Sequence, residues 1–290
     1  MTSVLRYTAF ASTPDGGNPA GIVLDASALD DTQMQRIAAD VGFAETAFLI
    51  DPAIDGDARH ARVRYFSPIA EVPFCGHATV ATAVALARRD GPGTFTFETA
   101  VGPIAIDTAT VVALPGEGSA AGDQIDAAFT SVEPEVVEID GEVLDTLLGL
   151  LALTRDDLDP RFPPRISFAG NWHPVLVFAS RSRFDDFTFD PAAMRALMDD
   201  QGWAGTVTTL FAISSHEFEA RNLFPVGVIT EDPATGSAAA SVGGYLRALG
   251  LAPERVLINQ GAHVGRPSVL TVDIPPSGGI VVSGTAVEIV

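Results

Sequence analysis

Glu71-Val72-Pro73-Phe74-Cys75-Gly76-His77-Ala78 is written a second time in this chain as Glu231-Asp232-Pro233-Ala234-Thr235-Gly236-Ser237-Ala238. Glu, Pro, Gly and Ala keep one ungapped register between the copies. Behind each runs a helix-length segment of small apolar residues, Thr79 to Arg88 and Ala239 to Arg247. Each segment reaches a glycine, Gly91 or Gly250, with arginine close before it, the punctuation of a helix C-terminus. Both segments are apolar around nearly the whole helical circumference, which predicts burial on every side. A helix buried all round needs strands wrapped about it. Each half is therefore expected to be a curved sheet around a central helix.

The echo continues outward from the motifs. Gly17-Asn18-Pro19 leads into the apolar run 21–24, as Gly170-Asn171-Trp172 leads into 175–178. Asp30 opens a helix over 31–41 closed by Gly42, and Asp190-Pro191 opens one closed by Gly202. Apolar runs at 46–50 and 208–213 follow, then Arg64-Tyr65-Phe66-Ser67-Pro68 and Arg221-Asn222-Leu223-Phe224-Pro225. Two diverged units of about 130–150 residues, an ordinary domain size, account for this. Residues 115–124 have the clearest linker composition, so the units are placed at 1–120 and 121–290. Strands are expected at 4–10, 21–24, 45–50, 61–66, 94–98 and 103–113, and turns at 15–19 and 52–57.

Composition excludes several functions. The 290 residues carry a formal charge of −20, which opposes nucleic acid and anionic membranes. All 17 basic residues are arginine, so Schiff-base chemistry, a pyridoxal phosphate lysine and a P-loop are ruled out. No Gly-x-Gly-x-x-Gly follows a strand, and no cofactor is implied. No apolar run approaches the ~20 residues of a membrane span, and the N-terminus lacks a signal-peptide pattern, so a soluble cytoplasmic protein is expected. Cys75 is the single cysteine. His60, His173, His216 and His263 are scattered without zinc-ligand spacing, so no metal is expected.

The two motifs place two helix N-termini, each with exposed N–H groups and a positive dipole end, where a ligand carboxylate is favoured. With two related units, a cleft between domains is the expected ligand site. His77 and Ser237 share a register one residue past the glycine, and each can donate to a carboxylate or a developing oxyanion. Asp232 either caps the second helix or contacts substrate. Glu71 and Glu231 read as structural, binding loop amides or the nearby arginine. Glu45 opens the run Thr46-Ala47-Phe48-Leu49-Ile50, while the matching strand has no acid; it is either a general base or an exposed strand-end glutamate. Cys75 reads as a small buried residue before it reads as a nucleophile, because its counterpart is Thr235.

Gly17-Asn18-Pro19-Ala20, Ala44-Glu45-Thr46-Ala47-Phe48, Arg64-Tyr65-Phe66-Ser67-Pro68, Cys75-Gly76-His77-Ala78-Thr79, the 231–238 motif and Gln260-Gly261…Gly265-Arg266-Pro267-Ser268 together resemble the PhzF, phenazine-biosynthesis-like, family. The resemblance runs from near residue 5 to the C-terminus. It implies an α+β, diaminopimelate-epimerase-like fold of two pseudo-symmetric domains, each a curved, mostly antiparallel or mixed sheet around a central helix, with the C-terminal strand, about 279–290, crossing back to the first domain, and a homodimer. It also implies cofactor-free isomerisation of a small carboxylate-bearing substrate such as trans-2,3-dihydro-3-hydroxyanthranilate. Under it, Glu45 moves a proton between carbons, His77 and Asp232 complete the catalytic set, and Asn18, Gly76, Gly236 and Ser237 bind substrate. Racemases of this fold use two cysteines, and Thr235 stands where the second would be. A non-catalytic binding protein of the same fold, and a one-thiol epimerase using Cys75, stay open as alternatives.

Overall fold

Proline at the first helical position, aspartate at the N-cap and glycine past the C-terminus set the helix boundaries in the computed structural model, which describes residues 2–112, 123–226 and 229–289. The expected linker at 115–124 and the boundary between 120 and 121 fall mostly or wholly outside the described residues. The chain forms two compact units, Met1–Thr130 with Ser283–Val290, and Ser131–Val282.

The first unit runs β1 (Leu5–Ala9), β2 (Asn18–Val23), α1 (Asp31–Val41), β3 (Glu45–Asp51), β4 (His60–Phe66), β5 (Glu71–Val72), α2 (Gly76–Asp90), β6 (Gly93–Thr99), β7 (Gly102–Val112) and β8 (Asp123–Thr130). Its sheet is mixed: β2 pairs parallel with β3, and β4 parallel with β6, while β1–β2, β3–β4, β4–β5, β6–β7 and β7–β8 are antiparallel. The parallel pairs are those bridged by a helix, α1 or α2, as a crossover requires. In α1, Asp30 accepts from the Gln33 amide and Gln33 returns a bond to the Asp30 amide, a capping box; Gly42 closes the helix at φ 70°. Residues 77–87 of α2 are all buried, and the helix packs against β1, β2, β3, β7 and β8.

The second unit runs β9 (Glu135–Glu138), α3 (Gly141–Leu150), β10 (Arg165–Phe168), β11 (Trp172–Phe178), α4 (Arg181–Asp186), α5 (Pro191–Gln201), β12 (Val207–Ala212), β13 (Glu217–Val226), β14 (Ile229–Asp232), α6 (Gly236–Ala248), β15 (Arg255–Gln260) and β16 (Ser268–Asp273). Then comes β17 (Val281–Glu288), whose residues Ala286, Val287 and Glu288 pair antiparallel with Ala9, Thr8 and Tyr7 of β1. Residues Ala238–Leu246 of α6 are buried, against β9, β10, β11 and β16.

The duplication is kept to the single residue. Ile22 pairs with Ala47 as Val175 pairs with Thr208. Ala47 pairs with Tyr65 as Thr208 does with Asn222, and Tyr65 with Val72 as Asn222 does with Asp232. A slip of one residue would turn every core side chain outward, so burial of both helices locks this register.

One local expectation is corrected. The turn read over 15–19 ends earlier, because Asn18 and Pro19 already belong to β2, paired with Ala9 and Thr8. Gly17 closes the reversal, at φ 69°; a Cβ there would lie 2.4 Å from the Ala9 carbonyl oxygen.

Candidate active site

Glu45 is the first residue of β3, Cys75 is the N-cap of α2 and His77 lies in its first turn. The Cys75 thiol donates to Glu45 Oε2 at 3.4 Å, and Sγ is 3.3 Å from His77 Nδ1. His77 Nε2 is 3.5 Å from the same Oε2. Burial strips water from the imidazolium and pushes His77 down to about 4, partly opposed by its hydrogen bond to the Pro19 backbone. Pro19 has no N–H, so the ring donates to its carbonyl. At neutral pH the ring is uncharged, and its approach to Glu45 is a close polar contact and not an ion pair. The Glu45 side chain keeps 19% of its surface exposed against 7% for His77, so the carboxylate is the member of this group that solvent reaches.

The frame behind these groups is rigid. Thr79 Oγ1 donates to the Cys75 carbonyl at 2.8 Å and shares a 2.7 Å hydrogen bond with the buried Tyr65 hydroxyl. Burial raises Tyr65 well above the ordinary phenol range, so it stays protonated. Arg64 holds Glu71 through two 2.7 Å bonds and Asp31 at 2.6 Å. Asn18 is 1% exposed and sits directly before the Pro19 that His77 engages. Gly76 is the first residue of α2.

At the start of α6 the same scaffold carries other groups. Thr235 is the N-cap, and its hydroxyl donates to Asp232 Oδ2 at 2.6 Å. Gln260 accepts from the Thr235 amide at 3.2 Å and donates to the Asp232 carbonyl at 2.6 Å. Gly236 opens the helix and Ser237 follows. Ser237 Oγ is 3.1 Å from Nε2 of His173, a fully buried residue of β11. His173 Nδ1 lies 3.0 Å from the Thr206 amide nitrogen and 3.1 Å from both the Thr206 carbonyl oxygen and the Thr206 hydroxyl, so the ring's tautomer decides which of these bonds forms. Burial also pushes His173 down to about 4. Ser237 Oγ and His173 Nε2 share one hydrogen bond, whose donor follows the ring's tautomer. Arg221 binds Glu231 at 2.6 Å and caps the Phe184 carbonyl at 2.9 Å, so both motif glutamates bind arginines, the structural role read for them.

His173 and Gln260 are the residues whose roles the sequence left unread. His173 lies three residues after Gly170, where the first unit has Ala20 three residues after Gly17. That offset was the signal available. Gln260 sits where Gly261, at φ 80°, approaches the Pro233 carbonyl so closely that a Cβ would lie 2.5 Å away.

Metal-ligand spacing along the chain is absent, yet folding gathers donors. Glu45, Cys75 and His77 have ligand atoms within 4.8 Å of one another, as do Asp185, Glu219 and His263. In the second group Arg181 already supplies the positive charge, 2.8 Å from Glu219 and 2.9 Å from Asp185. A depression of about 500 Å³ lined by Asp31, Thr32, Gln35, Arg36, Ala39 and Phe66 shares no residue with either helix start. No described helix is long and apolar enough to cross a membrane.

A family model for PhzC-PhzF, the phenazine biosynthesis-like proteins, matches residues 7–290. This chain belongs to that family. The phenazine biosynthesis-like chain is 30% identical over 293 residues to uncharacterized isomerase YddE of Escherichia coli K12, covering 98% of this chain and 95% of the relative. To trans-2,3-dihydro-3-hydroxyanthranilate isomerase of Pseudomonas chlororaphis it is 31% identical over 268 residues, covering 90% and 86%. The crystal structure of the Bacillus anthracis PhzF-family protein matches with a TM-score of 0.81 at 25% identity, over 99% of this chain and 96% of that one. The PhzF chain is thus an enzyme of the isomerase class, and its fold is the α+β, epimerase-like one its motifs imply.

Proposed function

We propose that the chain isomerises a small carboxylate-bearing metabolite of the trans-2,3-dihydro-3-hydroxyanthranilate kind without a cofactor, with Glu45 as the acid/base. The observation that carries this is the position of Glu45: its Oε2 lies 3.4 Å from a thiol and 3.5 Å from an uncharged imidazole, with part of the carboxylate open to solvent. A carboxylate takes a proton from carbon best where few full charges stabilise its ionised form. Neither neighbour is a cation at neutral pH. Glu45 removes a proton from one carbon and returns it to another, so the reaction is redox-neutral and consumes no water. The α2 amides at Gly76 and His77 stabilise the negative charge that builds as the C–H bond breaks. Asp232, Ser237, Asn18 and Gly236 are assigned to holding the substrate, with His173 fixing the Ser237 hydroxyl.

Glu45→Gln keeps the shape and removes the basicity. Turnover of a dihydrohydroxyanthranilate substrate should fall at least about 10²-fold, the lower range for general base catalysis, with substrate affinity within a few-fold. Solvent deuterium should enter the product of the parent enzyme and not of the variant. Unchanged turnover removes Glu45 from the mechanism. The thiol in contact with Glu45 favours one second reading, a one-thiol epimerase. That reading requires Cys75→Ser to abolish turnover, whereas the isomerase reading requires a loss of less than about tenfold.

A further inference from the structure

The loop that enters α6 is held by one buried amide. Gln260, 2% exposed, ends β15, with Ala220 of β13 opposite it. The Thr235 amide, which can only donate, meets Gln260 Oε1 at 3.2 Å, and the Asp232 carbonyl, which can only accept, lies 2.6 Å from Nε2. These two one-way partners fix the same orientation of the Gln260 amide. Its second Nε2 hydrogen goes to Thr235 Oγ1 at 3.1 Å. With a hydrogen arriving there, the hydroxyl's own hydrogen points to Asp232 Oδ2, 2.6 Å away. Donation therefore runs one way, from Gln260 through Thr235 to a carboxylate. Ser268 Oγ donates to the Pro233 carbonyl at 2.8 Å, which pins the middle of the loop independently of Gln260.

Among the described residues the first unit has no such relay. Arg62 lies opposite Glu98, so Val63, the match of Ala220, falls opposite Thr99. Thr99 donates instead to the Gly102 carbonyl at 2.7 Å. Cys75 and Val72 stand at the positions of Thr235 and Asp232.

We propose that Gln260 is a positioning residue for the reaction: through Thr235 it fixes Asp232 in one orientation, as an acceptor, for the substrate. This rests on the assignment of Asp232 to substrate binding made above. Asp232 ends β14, and a carboxylate there rotates unless it is tied. Tying Oδ2 orders the side chain before substrate arrives, so binding need not supply that ordering. Neither Gln260 nor Thr235 handles the proton moved between carbons, so the relay acts on binding and not on the chemical step.

The test measures turnover of trans-2,3-dihydro-3-hydroxyanthranilate by the full-length protein, and follows the Gln260 side-chain amide by NMR without substrate. Thr235→Val keeps the shape and removes the hydroxyl. It should raise KM about tenfold or more and leave kcat within about threefold, since hydrogen bonds to charged groups are the stronger kind. Thr235→Ser, which keeps the hydroxyl, should stay within about threefold of the parent in both. Gln260→Met should raise KM at least as far as Thr235→Val. The double variant should be within about twofold of Gln260→Met, because both changes break one relay. Where Gln260→Met fails to fold, Thr235→Val decides, because it leaves both backbone bonds of Gln260 in place. In Thr235→Val the Gln260 amide hydrogen facing Thr235 should move upfield, while the one facing the Asp232 carbonyl keeps its shift. Unchanged KM or an unmoved amide hydrogen in Thr235→Val overturns the proposal, as does a Thr235→Ser enzyme equally impaired. If Asp232→Asn raises KM at least about tenfold while Thr235→Val does not, Asp232 holds substrate without the relay. If Asp232→Asn leaves KM unchanged, the assignment of Asp232 falls and the proposal falls with it. Should the parent not turn this substrate over, the isomerase reading falls, and the amide shift alone decides the relay.

Discussion

At the start of α2 an acid, Glu45, reaches from β3 toward a helix-borne imidazole; at the start of α6 an imidazole, His173, reaches from β11 toward a helix-borne hydroxyl. The two arrangements use opposite strands of the same parallel pair. In β2–β3, Ala20 lies opposite Glu45; in the second unit the corresponding positions are His173 and Thr206, and they bond each other. The difference separates two jobs. Glu45 retains exposure and lies beside a thiol and an imidazole held uncharged, which suits the proton-carrying role proposed for it. His173 has none, and both its ring nitrogens are engaged, as suits a residue that orients another.

If both rings are held uncharged by burial, stability should be steeply pH-dependent. In the unfolded chain each histidine titrates near 6.5, and in the folded chain at about 4. Between those values the unfolded state binds more protons, so stability rises with pH across this window and is lost as pH falls through it. Each ring should account for about 3 kcal/mol of that loss by pH 4. Urea midpoints at pH 7 and pH 4.5 measure it. Variants His77→Asn and His173→Asn should each flatten the slope, and a slope unchanged in both would mean that the rings are accessible after all.

The next contrast concerns partners. His173→Ala strips the Thr206 amide and the Ser237 hydroxyl of a buried partner and leaves a cavity, and should cost about 2–4 kcal/mol. Ser237→Ala removes one bond and should cost about 1 kcal/mol. Equal costs would mean that His173 is held by packing alone.

The smallest effect belongs to a bond only the first unit has. Tyr65 and Thr79 share a hydroxyl–hydroxyl hydrogen bond of 2.7 Å; their counterparts are Asn222 and Ala239. Asn222 is buried, and its Oδ1 has no hydrogen-bond partner among the described residues. A double-mutant cycle of Tyr65→Phe and Thr79→Val should give a coupling of about 1 kcal/mol. A coupling near zero would show that the first helix start is no better braced than the second.

The sequence made the large features legible because they rest on local rules. Asp30 and Gly42 bracket α1, Pro191 and Gly202 bracket α5, and the small apolar runs after Gly76 and Gly236 are the two buried helices. Glu45 stood out because an acid opens an apolar run whose counterpart in the second half has none. His173 did not stand out, because its partners lie 33 and 64 residues away and come together only once β11, β12 and α6 are packed. The contact of Cys75 with Glu45 was hidden for the same reason: 30 residues separate them, and no spacing along the chain encodes the meeting of a strand start with a helix start. The segment holding α3 and β9 has no motif echo, and its elements were not read.

The pairing of β17 with β1 sets a timetable for synthesis. Tyr7, Thr8 and Ala9 leave the ribosome well before the strand segment that covers them, Ala286 to Glu288, which is made after everything between. The stretch 131–282 is contiguous and can mature while still tethered. Until then the edge of β1 that β17 covers stays unpaired.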